Sequence, residues 1–457
     1  MSGRLPDGLL LSFYGDDFTG SAAVMEVMTF AGLPTVLFLS PPTAAQMATF
    51  EGYRGIGIAG VARAQSPQWM AENLPPIFKF LAGLEAPFVH YKVCSTFDSA
   101  PHVGSIGKAI DIAAPIVGGD WYPLLIAAPA IQRYQAMGNL FAIADGQGYR
   151  LDRHPTMRRH PVTPMHEADV RVHLGRQTDK PIGLVDFTAL KAGRGDEALA
   201  AARAGGAEII AFDVIDKMTL VDAGRLVWEN LGDRCFAIGS QGLEYALVAY
   251  WFGAGLLPAN DDSVEAPASD HLLVVSGSCS PVTAQQIDRA KLRGFAAIAI
   301  DTLEAIDDGR WETELDRVSK AALDAWRQGQ DPLLYTAKGP DDLSIARLET
   351  AIREQNLDTV RINARIGDGL GRILDRLLRE TGIKRAVIAG GDTSSHGLGA
   401  LDIYALTAMA SITPAASLNR AHSNDPAHAG LEIALKGGQM GEPDYFAQIR
   451  AGRRKIG

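Results

Sequence analysis

Short apolar runs recur along this chain, each closed by a turn of small or polar residues and followed by a segment of helical periodicity. The first run, residues 9–14, passes into Gly15-Asp16-Asp17-Phe18-Thr19-Gly20 and then a helical pattern over 22–31. Similar runs fall at 35–39, 88–93, 124–128, 182–185, 209–212 and 235–238. Apolar runs of this length between turn signals read as buried strands. Their alternation with helices predicts parallel sheets with crossover connections. Residues 256–270 break the pattern: they are polar and acidic, carry two prolines and show no period, as a linker does. The alternation then restarts with a strand at 272–276, the turn Gly277-Ser278-Cys279-Ser280, and Pro281 at a helix start. Further strands are expected at 332–335, 386–389 and 431–435, and a helix over 400–409. The expected fold is therefore α/β: two α/β domains with mainly parallel sheets and a cleft between them. The first spans 1–255, the linker 256–270, and the second 271–457.

Composition narrows the class. The 457 residues are 47% hydrophobic and 21% charged, which is ordinary for a globular chain, and the length suggests more than one domain. A net charge of -10 argues against nucleic acid as a partner. Cys94, Cys235 and Cys279 are far apart and form no C-x-x-C, so neither a disulfide framework nor a zinc site is expected. They read as small buried thiols in a reducing cytoplasm. The apolar run at 9–11 is too short for a signal peptide or membrane span. The expectation is a cytoplasmic protein without a membrane partner.

Candidate chemistry gathers at the strand ends, where open α/β sheets bind ligands. Asp16 and Asp17 follow the first strand. Adjacent carboxylates suit holding a sugar hydroxyl, taking its proton, or binding a metal ion. Asp17 lies nearer the helix and is the better cap. Asp16 is then the preferred general base, with Asp98 next in line. Arg63 follows another apolar run, and its planar fork matches a carboxylate. Lys92, Ser95, Thr96 and Asp98 form a dense polar cluster that could hydrogen-bond a polyol acid. Gly55, Gly57 and Gly60 fit the dinucleotide fingerprint, but they lie inside a strand-like run with no helix after them. Gly107-Lys108 lacks the first P-loop glycine, since position 102 is His, and Ala109 stands where Ser or Thr is required. His154, His160, His166 and His173 show no ligand spacing, and no metal-ligating residue is assigned. Gly390-Gly391 and Gly277-Ser278 are each a strand–turn–helix unit, and two such turns could hold successive phosphates at helix N-termini. Asp392, Thr393, Ser394 and Ser395 are residue types that cap a helix start.

Five short motifs in this order resemble the four-carbon acid sugar kinase family over nearly the whole chain. They are Gly15-Asp-Asp-Phe-Thr-Gly20, Lys92-Val-Cys-Ser-Thr-Phe-Asp-Ser99, Gly277-Ser-Cys-Ser280, Gly390-Gly-Asp-Thr393 and Lys436-Gly-Gly-Gln439. The resemblance implies an N-terminal domain for the sugar acid and a C-terminal domain for ATP. Nucleotide contacts would fall on Ser278, Gly390, Gly391, Asp392, Thr393 and Gly438, with Mg2+ brought by ATP. Substrate contacts would draw on Arg63, Lys92, Ser95, Thr96 and Asp98. Two stretches depart from the family's pattern: Ala59-Gly-Val-Ala-Arg63 replaces an Asp before a Ser-Arg pair, and Pro129-Ala-Ile-Gln-Arg-Tyr134 lacks Gly-Arg-Thr. The implied substrates are 3-oxo-tetronate, threonate, erythronate or a branched acid such as 3-oxo-isoapionate. A homodimer is compatible with this reading. The rivals are a metal-dependent phosphohydrolase and a non-catalytic sugar-acid sensor.

Overall fold

The computed structural model of the protein describes residues 4–144, 146–160, 162–258, 264–414 and 416–455; of residues 392, 395 and 396 it describes the backbone alone. The chain divides into two compact units, Met1–Asp261 and Asp262–Gly457. Part of the expected linker, residues 259–263, lies outside the described residues.

In the first unit the strands are β1 (Leu11–Gly15), β2 (Thr35–Phe38), β3 (Gly55–Ala59), β4 (Phe88–Lys92), β5 (Tyr122–Leu125), β6 (Arg133–Ala136), β7 (Asn139–Ala144), β8 (Gln147–Arg150), β9 (Ile182–Val185), β10 (Ile209–Phe212) and β11 (Cys235–Gly239). Eight of them form one sheet in the order β2-β3-β1-β4-β11-β5-β10-β9, and every neighbouring pair is parallel. Strands β1 to β5 are buried throughout, which explains why they read as continuous apolar runs and do not alternate. The strands that follow β1 fall to either side of it, with β3 on one flank and β4 on the other. This is the topological switch where such sheets open a ligand crevice. The register sets Gly15 beside Lys92 and Lys92 beside Gly239. The three loops that follow therefore leave the sheet at one level.

The glycines of the apparent dinucleotide fingerprint serve packing. A Cβ at Gly57 would overlap the Phe13 ring, and one at Gly60 would overlap Tyr14. Strands β6, β7 and β8 form a separate antiparallel sheet that the sequence pattern does not announce. Buried Asp213 ties it down, accepting from the backbone N–H of Met137 (2.6 Å), Gly138 (2.9 Å) and Phe187 (3.2 Å).

The second unit contains β12 (Leu273–Ser276), β13 (Phe295–Ala299), β14 (Asp331–Tyr335), β15 (Arg385–Ala389), β16 (Ile403–Ala410), β17 (Leu418–Ser423) and β18 (Glu432–Lys436). Their order is β13-β14-β12-β15-β18-β17-β16. Pairing is parallel from β13 to β18 and antiparallel across β17 and β16. This sheet also has its switch, between β12 and β15.

Two local expectations are corrected here. Residues 400–409 are not a helix: the helix Gly391–Ala400 stops, Asp402 takes a left-handed φ of 49°, and the chain continues as β16. Ile403, Tyr404 and Thr407 favour a strand, and β17 supplies the pairing partner. Nor do Thr393 and Ser394 cap that helix, because both lie within its first turn and the N-cap is Gly390. Cys279 is a third correction: it is exposed on its turn, whereas Cys235 is buried.

Candidate active site

Asp16 and Asp17 leave β1 at the switch of the first unit, and both face Arg63. The guanidinium holds Asp16 with two bonds, Nη2 to Oδ1 at 2.7 Å and Nε to Oδ2 at 3.2 Å. Its third nitrogen donates to Asp17 Oδ2 at 2.8 Å. The Arg63 N–H also donates to the Asp16 carbonyl at 3.1 Å, and the Asp16 N–H to the Lys92 carbonyl at 2.9 Å, so the cluster is tied to both flanking strands. Asp17 caps the helix Phe18–Phe30, with Oδ1 accepting from the Gly20 N–H at 2.9 Å and Oδ2 from Thr19 at 2.9 Å. The chemical consequences differ. Arg63, Lys92 and the capping bonds outweigh burial at Asp17 and hold its carboxyl below the usual range. Burial pushes Asp16 up, against the pull of Arg63. Among the described residues each Asp16 oxygen accepts one bond, which leaves each a lone pair that can accept a proton.

Lys92 ends β4 with its side chain buried, and a Cβ on Gly20 would fall 2.5 Å from its Nζ. The ammonium therefore sits against the first turn of the Phe18–Phe30 helix. Among the described residues its Nζ makes no hydrogen bond. The loop after β4 is held from behind. Phe97 adopts a left-handed φ of 58°, and Ser99 is bonded by His173 Nε2 and Gln177 Nε2, each at 2.9 Å. Burial lowers His173 to about 4, so it supports the loop as a neutral imidazole. Thr96 bonds Cys94 at 2.9 Å, and Ser95 is half-buried beside them. Burial pushes the Cys94 thiol up to about 11, which makes it a poor nucleophile. Asp98 is buried, and among the described residues its Oδ1 has no hydrogen-bond partner. The sequence-predicted residues Asp16, Asp17, Arg63, Lys92, Ser95, Thr96 and Asp98 thus meet at one edge of the sheet.

One residue that the sequence patterns do not single out also reaches this edge. Arg133 follows the loop after β5, two strands from β4, and lies within electrostatic reach of Asp98 and the Cys94 side chain. Its signal in the sequence is a basic residue in a short polar stretch after an apolar run, the same signal that marks Arg63.

In the second unit the turns after β12, β15 and β18 converge. Register sets Ser276 beside Ala389 and Ala389 beside Lys436. A Cβ at Gly277 would overlap Thr393 Oγ1, and one at Gly438 would lie 2.9 Å from Ser278 Oγ. Gly390, at φ 119°, brings the third turn against Gly277 and Ser278. Only glycine allows this approach without strain. Ser278 Oγ bonds Thr283 Oγ1 at 3.0 Å, and Ser280 Oγ bonds the Gly438 carbonyl. Buried Lys436 donates to Thr283 Oγ1 (3.0 Å) and to the carbonyls of Gly437 (3.0 Å) and Gly438 (3.2 Å). Burial lowers it to about 7. Two helices, Pro281–Lys291 and Gly391–Ala400, begin at these turns, so two helix N-termini and the buried Lys436 amine surround the place where an anion would bind. The side chain of Asp392 lies outside the described residues.

Fold and site together define a two-domain α/β protein with a cluster of candidate ligand-binding residues at the switch of each sheet. Residues 11–247 match the family model described as a sugar-binding N-terminal domain, and residues 273–446 match that of a nucleotide-binding C-terminal domain. The chain belongs to the four-carbon acid sugar kinase family. It is 46% identical over 448 residues to a 3-oxo-isoapionate kinase from Paraburkholderia graminis, covering 98% of this chain and 95% of that one. It is 29% identical over 450 residues to a 3-oxo-tetronate kinase from Cupriavidus necator, covering 97% of each. A solved structure of a candidate tRNA synthase from Salmonella typhimurium LT2 superposes with a TM-score of 0.79, at 23% identity, over 98% of this chain and 100% of that one. At that identity the likeness establishes the fold alone. The second unit binds a nucleotide, as its family does. Among the described residues no helix is long and apolar enough to cross a membrane.

Proposed function

We propose that the protein is an ATP-dependent kinase that phosphorylates a hydroxyl of a small acid sugar, with 3-oxo-isoapionate the first substrate to test. The observation that carries this reading is the 46% identity, over nearly the full length of both chains, to a 3-oxo-isoapionate kinase. The two sites described above support it. ATP phosphates are assigned to the turns carrying Ser278, Gly390, Gly391, Asp392, Thr393 and Gly438. The acid sugar is assigned to the edge carrying Lys92, Ser95, Thr96 and Asp98.

In this reading the acceptor hydroxyl attacks the γ-phosphorus, the bond to the β-phosphate oxygen breaks, and ADP leaves. Asp16 takes the hydroxyl proton. Its burial makes the carboxylate more basic, and Arg63 keeps it ionised and aimed. Asp17 acts through the helix start it caps. Because the transition state is loose, positioning contributes more than base strength. Magnesium is expected to arrive on the ATP phosphates, where it keeps several waters. Asp16 and Asp17 are not assigned to it, since their oxygens accept from Arg63.

A coupled assay of ADP release over a panel of four- and five-carbon sugar acids tests the reading. Release that depends on one acid is expected. Phosphate release from a phosphoester without nucleotide would favour the hydrolase instead, and acid binding without turnover would favour the sensor.

A further inference from the structure

We infer that Arg133 grips the substrate carboxylate, a role that the sequence alone suggests for Arg63. The inference rests on the kinase reading above and deepens it.

Arg63 is fully engaged. All three of its nitrogens donate to Asp16 or Asp17, and it holds Asp16 through the Nε–Nη2 edge that forks onto a carboxylate. A substrate carboxylate would have to compete with a fixed internal one. Arg133 has the opposite arrangement. Its Nη1 donates to the carbonyls of Ile131 and Gln132, both at 3.2 Å, which fixes one end of the guanidinium. Its Nε is buried without a partner, so among the described residues the Nε–Nη2 edge is unengaged. Asp98, within electrostatic reach, shows the complementary deficit: a buried carboxylate oxygen with no donor among the described residues.

A free donor fork and a free acceptor at one strand edge match the two ends of a hydroxy acid. The fork takes the carboxylate, and Asp98 takes a hydroxyl. Both atoms are covered in this conformation, and a polar group buried without a partner is costly. An entering acid would relieve that cost after a small swing of the long arginine side chain. Local backbone bonds hold Arg133 in place. It opens β6, its N–H and carbonyl pair with Ala128 at 3.2 and 3.0 Å, and Gln132 before it takes a left-handed φ of 59°. Asp213 anchors the next turn of the same antiparallel sheet. The sheet thus has a functional use: it carries Arg133 to the end of β5.

The test is initial-rate kinetics with 3-oxo-isoapionate, ATP and magnesium for the wild type, Arg133→Gln and Arg133→Lys. Arg133→Gln should lower kcat/KM for the acid by roughly 10- to 100-fold, the usual effect of losing hydrogen bonds to a charged group. The loss should appear in the KM for the acid, with the KM for ATP unchanged. Arg133→Lys should recover part of it, because the charge stays while the fork is lost. Wild-type kinetics in Arg133→Gln would overturn the inference and leave the kinase reading standing. A fall in kcat with equal changes in both KM values would also overturn it, since that pattern marks a structural residue. If the wild type itself releases no ADP in response to 3-oxo-isoapionate or the other acids of the panel, the kinase reading fails, and this inference fails with it.

Discussion

Lys436 should take up a proton when ATP binds. In the free protein it is buried among β18, Thr283 and the Gly437–Gly438 carbonyls, and burial lowers it to about 7. Phosphate oxygens laid against Ser278 and Gly438 would favour its charged form and return it towards the ordinary lysine value of 10.5. At about pH 8 a group titrating near 7 is only ~10% protonated, so binding would draw in ~0.9 proton per ATP. Proton uptake makes binding weaken as pH rises. Between about pH 7 and pH 9 the dissociation constant should increase by roughly 10- to 100-fold. The sign for stability is separate: the free protein bears the cost of burying the ammonium in full below pH 7, and this cost fades as pH rises towards 10.5. Titration calorimetry of MgATP in buffers of different ionisation enthalpy, at about pH 8, measures the uptake directly. Lys436→Met should abolish it and flatten the pH dependence. Uptake below ~0.2 proton in the wild type, or equal uptake in wild type and variant, would refute the reasoning.

The remaining predictions concern the two sites and the glycines. Gly391→Val should leave the fold intact, because a Cβ there meets nothing within 4 Å among the described residues, yet raise the ATP dissociation constant by about tenfold or more in calorimetry; unchanged affinity would remove that turn from the nucleotide site. Asp16→Asn should lower kcat by about 10²–10⁴-fold with ATP affinity kept, whereas Asp17→Asn should cost little, because Asn caps a helix about as well as Asp. If both variants fold and keep near-normal kcat, the base lies elsewhere and Asp98 is the next candidate. Gly57→Ala should lower the thermal midpoint, since overpacking costs about 1–3 kcal/mol, without changing ATP affinity; a nucleotide-binding defect in that variant would revive the fingerprint.

Much of the architecture is legible in the amino-acid sequence, for a physical reason. Strands buried on both faces must be apolar throughout, so β1, β4, β10, β11 and β12 stand out as runs whatever their neighbours are. The turns after them are legible too, because close approach of backbones requires glycine and because helix starts attract Asp and Ser, as at Asp17 and Ser280. Strand β16 reads as helix from its residues alone because its apolar positions fit either period, and the choice falls to a partner strand further along the chain, Leu418–Ser423. The Gly55–Gly60 spacing carries no information about nucleotides, since only the packed Phe13 and Tyr14 rings reveal what those glycines avoid. Side-chain pairing is likewise invisible in one dimension. The sequence pattern singles out Arg63 and passes over Arg133, but charge is shared out in three dimensions. Arg63 meets Asp16 and Asp17 across the β1–β3 edge and is neutralised there, whereas Arg133, within electrostatic reach of Asp98, keeps a buried Nε that has no partner among the described residues. Residue types could announce that a cation and a carboxylate were present; only the fold decided which of them are already spent on each other and which remain for a ligand.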